Sequence, residues 1–238
     1  MADIEQCLRK MQKIYQQDPV NAVRSQNFIQ TLHAYVEDDL NEHLSNKAKR
    51  KKIRVVREAH LFGSYKAKDE DLAVVDPING PLITVGVRSQ MSSVAKNALT
   101  YYQDIIGECI SLQERFPMTV MGYVYLHPYQ ELIADQKTPD HERWAKLYAS
   151  ISNRDDRLYK NQVGSYDQFA YMVVDFKDPH LKIRDDIVKS AVPKIDMQIS
   201  TLVPRLVQTF INRNIWLADY FTNDEVETPE NEVETPEN

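Results

Sequence analysis

Asp71 stands immediately before four apolar residues, Leu72-Ala73-Val74-Val75. A carboxylate at the edge of a buried strand is costly unless something binds it. Further on, Leu82-Ile83-Thr84-Val85-Gly86-Val87 is a second apolar, β-branched run, and period-2 alternation puts Gly86, Arg88 and Gln90 on one side of it. Across a hairpin they can all face Asp71. Two chemistries fit this spacing. One is a cross-strand ion pair of little consequence. The other is a functional site, in which Asp71 is bound by something and Arg88, always protonated, stabilises developing negative charge.

A second constellation precedes the first. Lys47, Lys49, Arg50, Lys51, Lys52, Arg54 and Arg57 are seven cations within eleven residues. Such a block is either a solvated face or a surface that tracks a phosphate backbone. Ser89, Gln90, Ser92, Ser93, Lys96 and Asn97 follow the second apolar run, where they could contact phosphates or base edges, or simply cap and solvate a helix. Gly63-Ser64 followed by Asp69 and Asp71 is similar to the Gly-Ser turn and Asp-X-Asp metal pair of nucleotidyltransferases, with a shorter gap. The six histidines show no metal-ligand spacing and read as surface or core residues.

The elements that must position these groups follow from periodicity. Cys7, Leu8, Met11, Ile14 and Tyr15 define one amphipathic helix, and Phe28, Leu32, Val36, Leu40 and Leu44 a second, beginning after Pro19. The Asn79-Gly80 step and its flanking prolines predict a β-hairpin between the two apolar runs. Residues 92–115 predict a helix, Thr119 to Leu126 a strand, 144–151 a helix and 168–176 a buried strand. Helices return over about 183–220, bounded by Pro193 and Pro204. A strand, crossover helix and second strand favour parallel pairing.

Taken together, Gly63, Tyr65 and Lys66 leading to Asp71, then Gly86-Val87-Arg88-Ser89-Gln90, Asn97, Gly107, and Pro117 through Gly122-Tyr123-Val124-Tyr125-Leu126 resemble the PD-(D/E)XK nuclease superfamily. Within it they are closest in pattern to type II restriction endonucleases. The match spans about residues 58–128. It departs from the family's acid-X-Lys, placing Gly86 at the acid and Arg88 at the lysine. The resemblance implies a mixed central sheet flanked by helices, with extra N- and C-terminal helices. It also implies Mg²⁺, or Mn²⁺, held by Asp71 with Glu58 or Glu108 as the second acid, and Arg88 and Gln90 near the scissile phosphate. Glu58, Asp71, Arg88 and Gln90 are then the catalytic set. Lys49, Arg50, Lys51, Lys52, Arg54, Ser89, Ser92, Ser93, Lys96 and Asn97 are the DNA contacts, double-stranded DNA the substrate, and a homodimer the expected assembly. The loss at Gly86 keeps a DNA-binding protein without cleavage activity as the alternative.

Composition bounds these expectations. The 238 residues carry a net charge of -6, but 224–238 hold seven acids and no base, leaving residues 1–223 at +1. An acidic total therefore does not exclude a polyanion partner. The tail repeats Glu-Val-Glu-Thr-Pro-Glu-Asn twice and reads as solvated, with shielding of a basic surface as its functional alternative. With 42% hydrophobic residues and no apolar run near 18 residues, neither disorder nor a membrane span is expected. Two cysteines and no apolar leader point to a reducing, cytoplasmic setting. The expected organisation is a helical segment at 1–57, an α/β domain at 58–223 and the acidic tail at 224–238.

Overall fold

The computed structural model describes residues 3–24, 26–131, 137–154 and 164–221; the acidic tail therefore lies outside the described residues. Helix α1 (Ile4–Gln17) starts at Asp3, whose Oδ1 accepts the N–H groups of Glu5 at 2.9 Å and Gln6 at 3.1 Å, a cap worth about 1 kcal/mol. Its buried stripe of Cys7, Leu8, Met11 and Tyr15 matches the expected face. After α2 (Pro19–Arg24), α3 (Gln26–His43) buries Phe28, Leu32, Val36 and Leu40 at helical spacing. Ser45 caps the short α4 (Asn46–Arg50).

Six strands follow in sheet order: β1 (Arg54–Phe62), β2 (Ala67–Asp76), β3 (Gly80–Ser89), β4 (Val120–Pro128), β5 (Gln168–Asp175) and β6 (Lys182–Ile183). The first three form an antiparallel meander, β3, β4 and β5 run parallel, and β6 returns antiparallel. Asp76 closes the β2–β3 turn by accepting the Ile78 N–H at 2.8 Å and the Asn79 amide at 2.6 Å, and Gly80 takes φ +82. Helix α5 (Val94–Arg115) makes the parallel crossover expected between β3 and β4.

The sheet is covered on both faces. Helices α1, α3 and α8 (Leu202–Arg213) share one apolar core with sheet residues such as Ile83, Val85, Val87, Val124 and Met172. Helices α5, α6 (His141–Ser150) and α7 (Asp185–Ala191) share the other with Met121, Tyr123, Tyr125, Phe169 and Tyr171. All nine residues of β4 are accordingly buried, as a central parallel strand requires. The N-terminal helices are thus part of the sheet's own core. Strand β1 begins at Arg54, so the end of the basic run and the first residues beyond 57 belong to one strand that sequence periodicity did not reveal. Its charges at Arg54, Arg57 and Glu58 mask the β-branched Ile53, Val55 and Val56.

Two polar groups inside these cores set stability. Asp167, fully buried, accepts the Met121 N–H at 2.8 Å and an Arg213 N–H at 3.1 Å from the end of α8. Burial pushes its carboxyl up, and Arg213 pulls it back. Asp167→Ala removes a fully buried carboxylate that both the Arg213 guanidinium and the Met121 N–H use. The expected loss is about 3–5 kcal/mol, read from the midpoint of urea unfolding.

His127 is fully buried, with Nδ1 2.9 Å from the Tyr171 hydroxyl, which also lies 3.0 Å from His141 Nδ1. Burial, and then His141, hold His127 well below its ordinary value, so the fold keeps it neutral. Above about pH 6.5 neither folded nor unfolded chain protonates this ring, and it has no effect on stability. Below that, the unfolded chain takes up a proton the fold excludes, and stability falls by up to about 1.4 kcal/mol per pH unit. Guanidinium unfolding from pH 7 to pH 5 is expected to show a steeper loss for the native chain than for His127→Gln.

Candidate metal centre

Strands β2 and β3 pair from Asp76↔Gly80 back to Leu72↔Val85 and then part, β2 continuing along β1 to Ala67 and β3 along β4 to Ser89. Asp71 sits at this fork. Its Oδ2 accepts the Val87 N–H at 2.6 Å, satisfying a backbone donor where the β2–β3 ladder ends. The side-chain alternation of β2 changes phase here. Lys68 and Glu70 meet Glu108 on α5, whereas Leu72 and Val74, of the same parity, lie in the core with α3. That shift turns the Asp71 carboxylate toward α3, where His33 Nε2 is 3.9 Å from Asp71 Oδ1.

Glu58 lies opposite Asp71, between the pairs Arg57↔Leu72 and Ala59↔Glu70, with φ +47. A non-glycine residue in the left-handed region inside a strand carries of order 1–3 kcal/mol of strain. Two carboxylates opposite one another add repulsion. His33 adds a third cost: it is 3% exposed, and among the described residues neither ring nitrogen has a hydrogen-bond partner in acceptable geometry. Burial pushes its pKa down, against the opposing pull of Asp71, Glu58 and the Val87 backbone, so the ring tends to the neutral form that can donate a lone pair. One donor atom from each of His33, Glu58 and Asp71 lies within 4.8 Å of the others. A cation bonded at about 2.0–2.2 Å would hold such atoms about 3 Å apart, so the 3.9 Å between His33 Nε2 and Asp71 Oδ1 must shorten as well as the exposed Glu58 close in. Strain, like charge and an orphaned imidazole meet at one point, and a bound cation would offset all three.

The fork collects only part of the residue set expected from sequence. Of the two candidate second acids, Glu58 joins Asp71, while Glu108 is taken by Lys68, whose Nζ is 2.7 Å from Glu108 and 2.8 Å from Glu70. Burial draws the Lys68 ammonium down, but the two carboxylates outweigh it and its pKa stands above the ordinary value. Arg88 and Gln90 do not face Asp71, which corrects the alternation argument. The Arg88 guanidinium lies over the Tyr101 ring of α5, 4.9 Å from its centroid, and among the described residues no ion pair joins it to Asp71. Gln90 is buried, donating to the Ser93 carbonyl at 3.1 Å and accepting from the Tyr125 hydroxyl at 3.0 Å. The assumption that failed was that β2 keeps one phase through Asp71.

Other expectations resolve in the same way. Asp69 pairs with His60 at 2.6 Å and stays apart from Asp71, and the Gly63-Ser64 turn packs on α5, the Ser64 N–H donating to the Ser111 carbonyl at 2.9 Å. Ser93, in the left-handed region at the start of α5, does not offer a free phosphate cradle: its N–H and that of Val94 donate to the Glu131 carboxylate at 3.0 and 2.8 Å. Ser89, Ser92 and Asn97 are half-buried and Lys96 is exposed. In the basic run, Lys47 pairs with Asp219, Lys51 donates to the Tyr220 hydroxyl at 3.2 Å and Arg57 pairs with Glu37. Lys49, Arg50, Lys52 and Arg54 are exposed. Arg54 is four residues from Glu58 on β1, about 13 Å at strand rise.

His33 was missed as a site residue. Its signal was weak but present: it stands four residues after Ile29 and three before Val36, a titratable group on the apolar stripe of α3. No described helix is long and apolar enough to cross a membrane. Comparison with family models, curated proteins and solved structures returned no match.

Proposed function

We propose that this protein is a divalent-metal-dependent endonuclease acting on double-stranded DNA, of the restriction-endonuclease-like kind, with its centre at the β2–β3 fork. The observation that carries the reading is the convergence of Asp71, Glu58 and the buried His33 where two strands separate. A divalent ion there would supply a Lewis acid for a phosphodiester and lower the pKa of a water. The chain's own residues have simpler tasks. Asp71, anchored by the Val87 N–H, fixes one donor, and the exposed Glu58 closes on it from β1. Lys49, Arg50, Lys52 and Arg54 attract the backbone of a duplex toward that edge. A homodimer would bring one fork to each strand of a two-fold site.

Mixed-sequence plasmid incubated with the protein and Mg²⁺ or Mn²⁺ is expected to give discrete fragments that chelation abolishes. A gel shift without fragments in either metal supports the alternative, a DNA-binding protein without cleavage. The specific observation favouring that alternative is the position of Arg88, whose guanidinium lies over Tyr101 on α5 instead of facing Asp71. Under both readings, replacing Lys49, Arg50, Lys52 and Arg54 by glutamine is expected to flatten the plot of log affinity against log salt, by about 0.9 for each phosphate no longer neutralised. An unchanged slope would assign these four to a merely solvated face.

A further inference from the structure

We infer that His33 makes the fork a centre for a first-row transition ion, of the Mn²⁺ to Zn²⁺ class, in preference to Mg²⁺. The inference rests on the metal-site part of the proposed function and changes the cation expected there. Two carboxylates alone would suit a hard ion that takes oxygen ligands and keeps its waters. The third donor differs in kind. The imidazole is 3% exposed, its Nε2 lies 3.9 Å from Asp71 Oδ1, and among the described residues no group meets hydrogen-bond geometry at either nitrogen. Desolvated nitrogen is a poor ligand for Mg²⁺ and a good one for borderline ions, whose affinity for mixed nitrogen and oxygen sites exceeds that of the alkaline earths.

The arrangement also confines the choice. Helix α3 is held by Leu32, Val36 and Leu40 in the core and the His33 ring is itself 3% exposed, so packing opposes moving the imidazole away from the fork. Glu58 is the exposed, adjustable member. A cation therefore meets the nitrogen or is bound by fewer protein donors.

The test is calorimetric titration of the full chain, without nucleic acid, with Mn²⁺, Zn²⁺ and Mg²⁺ in turn. Mn²⁺ and Zn²⁺ are expected to bind at least tenfold more tightly than Mg²⁺. His33→Ala is expected to weaken both by tenfold or more while leaving Mg²⁺ within twofold. Because His33 is buried, Glu58→Gln provides a second variant at an exposed position, expected to weaken all three ions. Equal affinity for Mg²⁺ and Mn²⁺ in the native chain, transition-ion binding that survives His33→Ala, or binding unaffected by Glu58→Gln would overturn the inference. Selective binding without plasmid cleavage would support it while removing the nuclease reading; cleavage with binding of Mg²⁺ alone would do the reverse.

Discussion

Asp71→Asn is expected to lower metal-dependent plasmid cleavage by about a thousandfold, whereas Glu108→Gln should leave it within a few-fold of the native rate. The contrast follows from what each acid touches. Asp71 meets the Val87 N–H with one oxygen and points the other at His33. Asparagine keeps the size but removes the negative charge that a cation needs, and several kcal/mol of lost transition-state stabilisation, at about 1.4 kcal/mol per decade, gives three orders of magnitude. Glu108 is tied to Lys68 beneath α5, and its loss acts on that ion pair instead. Rates on supercoiled plasmid under single-turnover conditions decide the matter. Equal losses in the two variants would return Glu108 to the site; no loss in Asp71→Asn would remove the fork from the chemistry.

Gly86→Glu, which places in β3 the acid that the resembled nuclease pattern has at this position, is expected to destabilise the protein without raising cleavage. A Cβ at Gly86 would lie 2.5 and 2.7 Å from two carbons of the Tyr123 ring. That ring cannot yield easily. It is 2% exposed, stacks on Phe169 with centroids 5.4 Å apart and meets Tyr166 edge-on at 5.1 Å. Overpacking alone costs about 1–3 kcal/mol, the range expected for Gly86→Ala. Glutamate adds an unpaired carboxylate on the core side of the sheet, away from Asp71, and the total is expected near ~4 kcal/mol or more. Chemical unfolding of Gly86→Ala and Gly86→Glu measures both steps. If Gly86→Glu folded normally and cut DNA faster, the side assigned to this position would be wrong.

The departure at Gly86 therefore has a packing consequence that sequence resemblance alone does not show. In the superfamily's pattern the position is read as a ligand; in this chain the space its side chain would need holds an aromatic ring. Any metal chemistry must use donors from elsewhere, and β1 and α3 supply Glu58 and His33.

Much of the fold is legible in the order of residues. The stripes of α1 and α3, the Asn-Gly turn, the long crossover helix and the buried β4 follow from local periodicity and turn chemistry, which depend on neighbours a few residues apart. Asp71 was also legible as an acid at the start of a strand, and Glu58 entered only through the family resemblance. The side to which each group turns depended instead on where β2 leaves β3. That fork shifts the alternation of β2, sends Asp71 to α3 and leaves Arg88 with Tyr101 on α5. His33, 38 residues from Asp71 in sequence, became a neighbour only through the packing of α3 on the sheet. Sequence alone determined most of the elements and named the acids, β1 excepted, because periodicity and turn chemistry are local. Tertiary structure decided which acids converge beside His33, because register, strand divergence and helix packing bring together residues that no period connects.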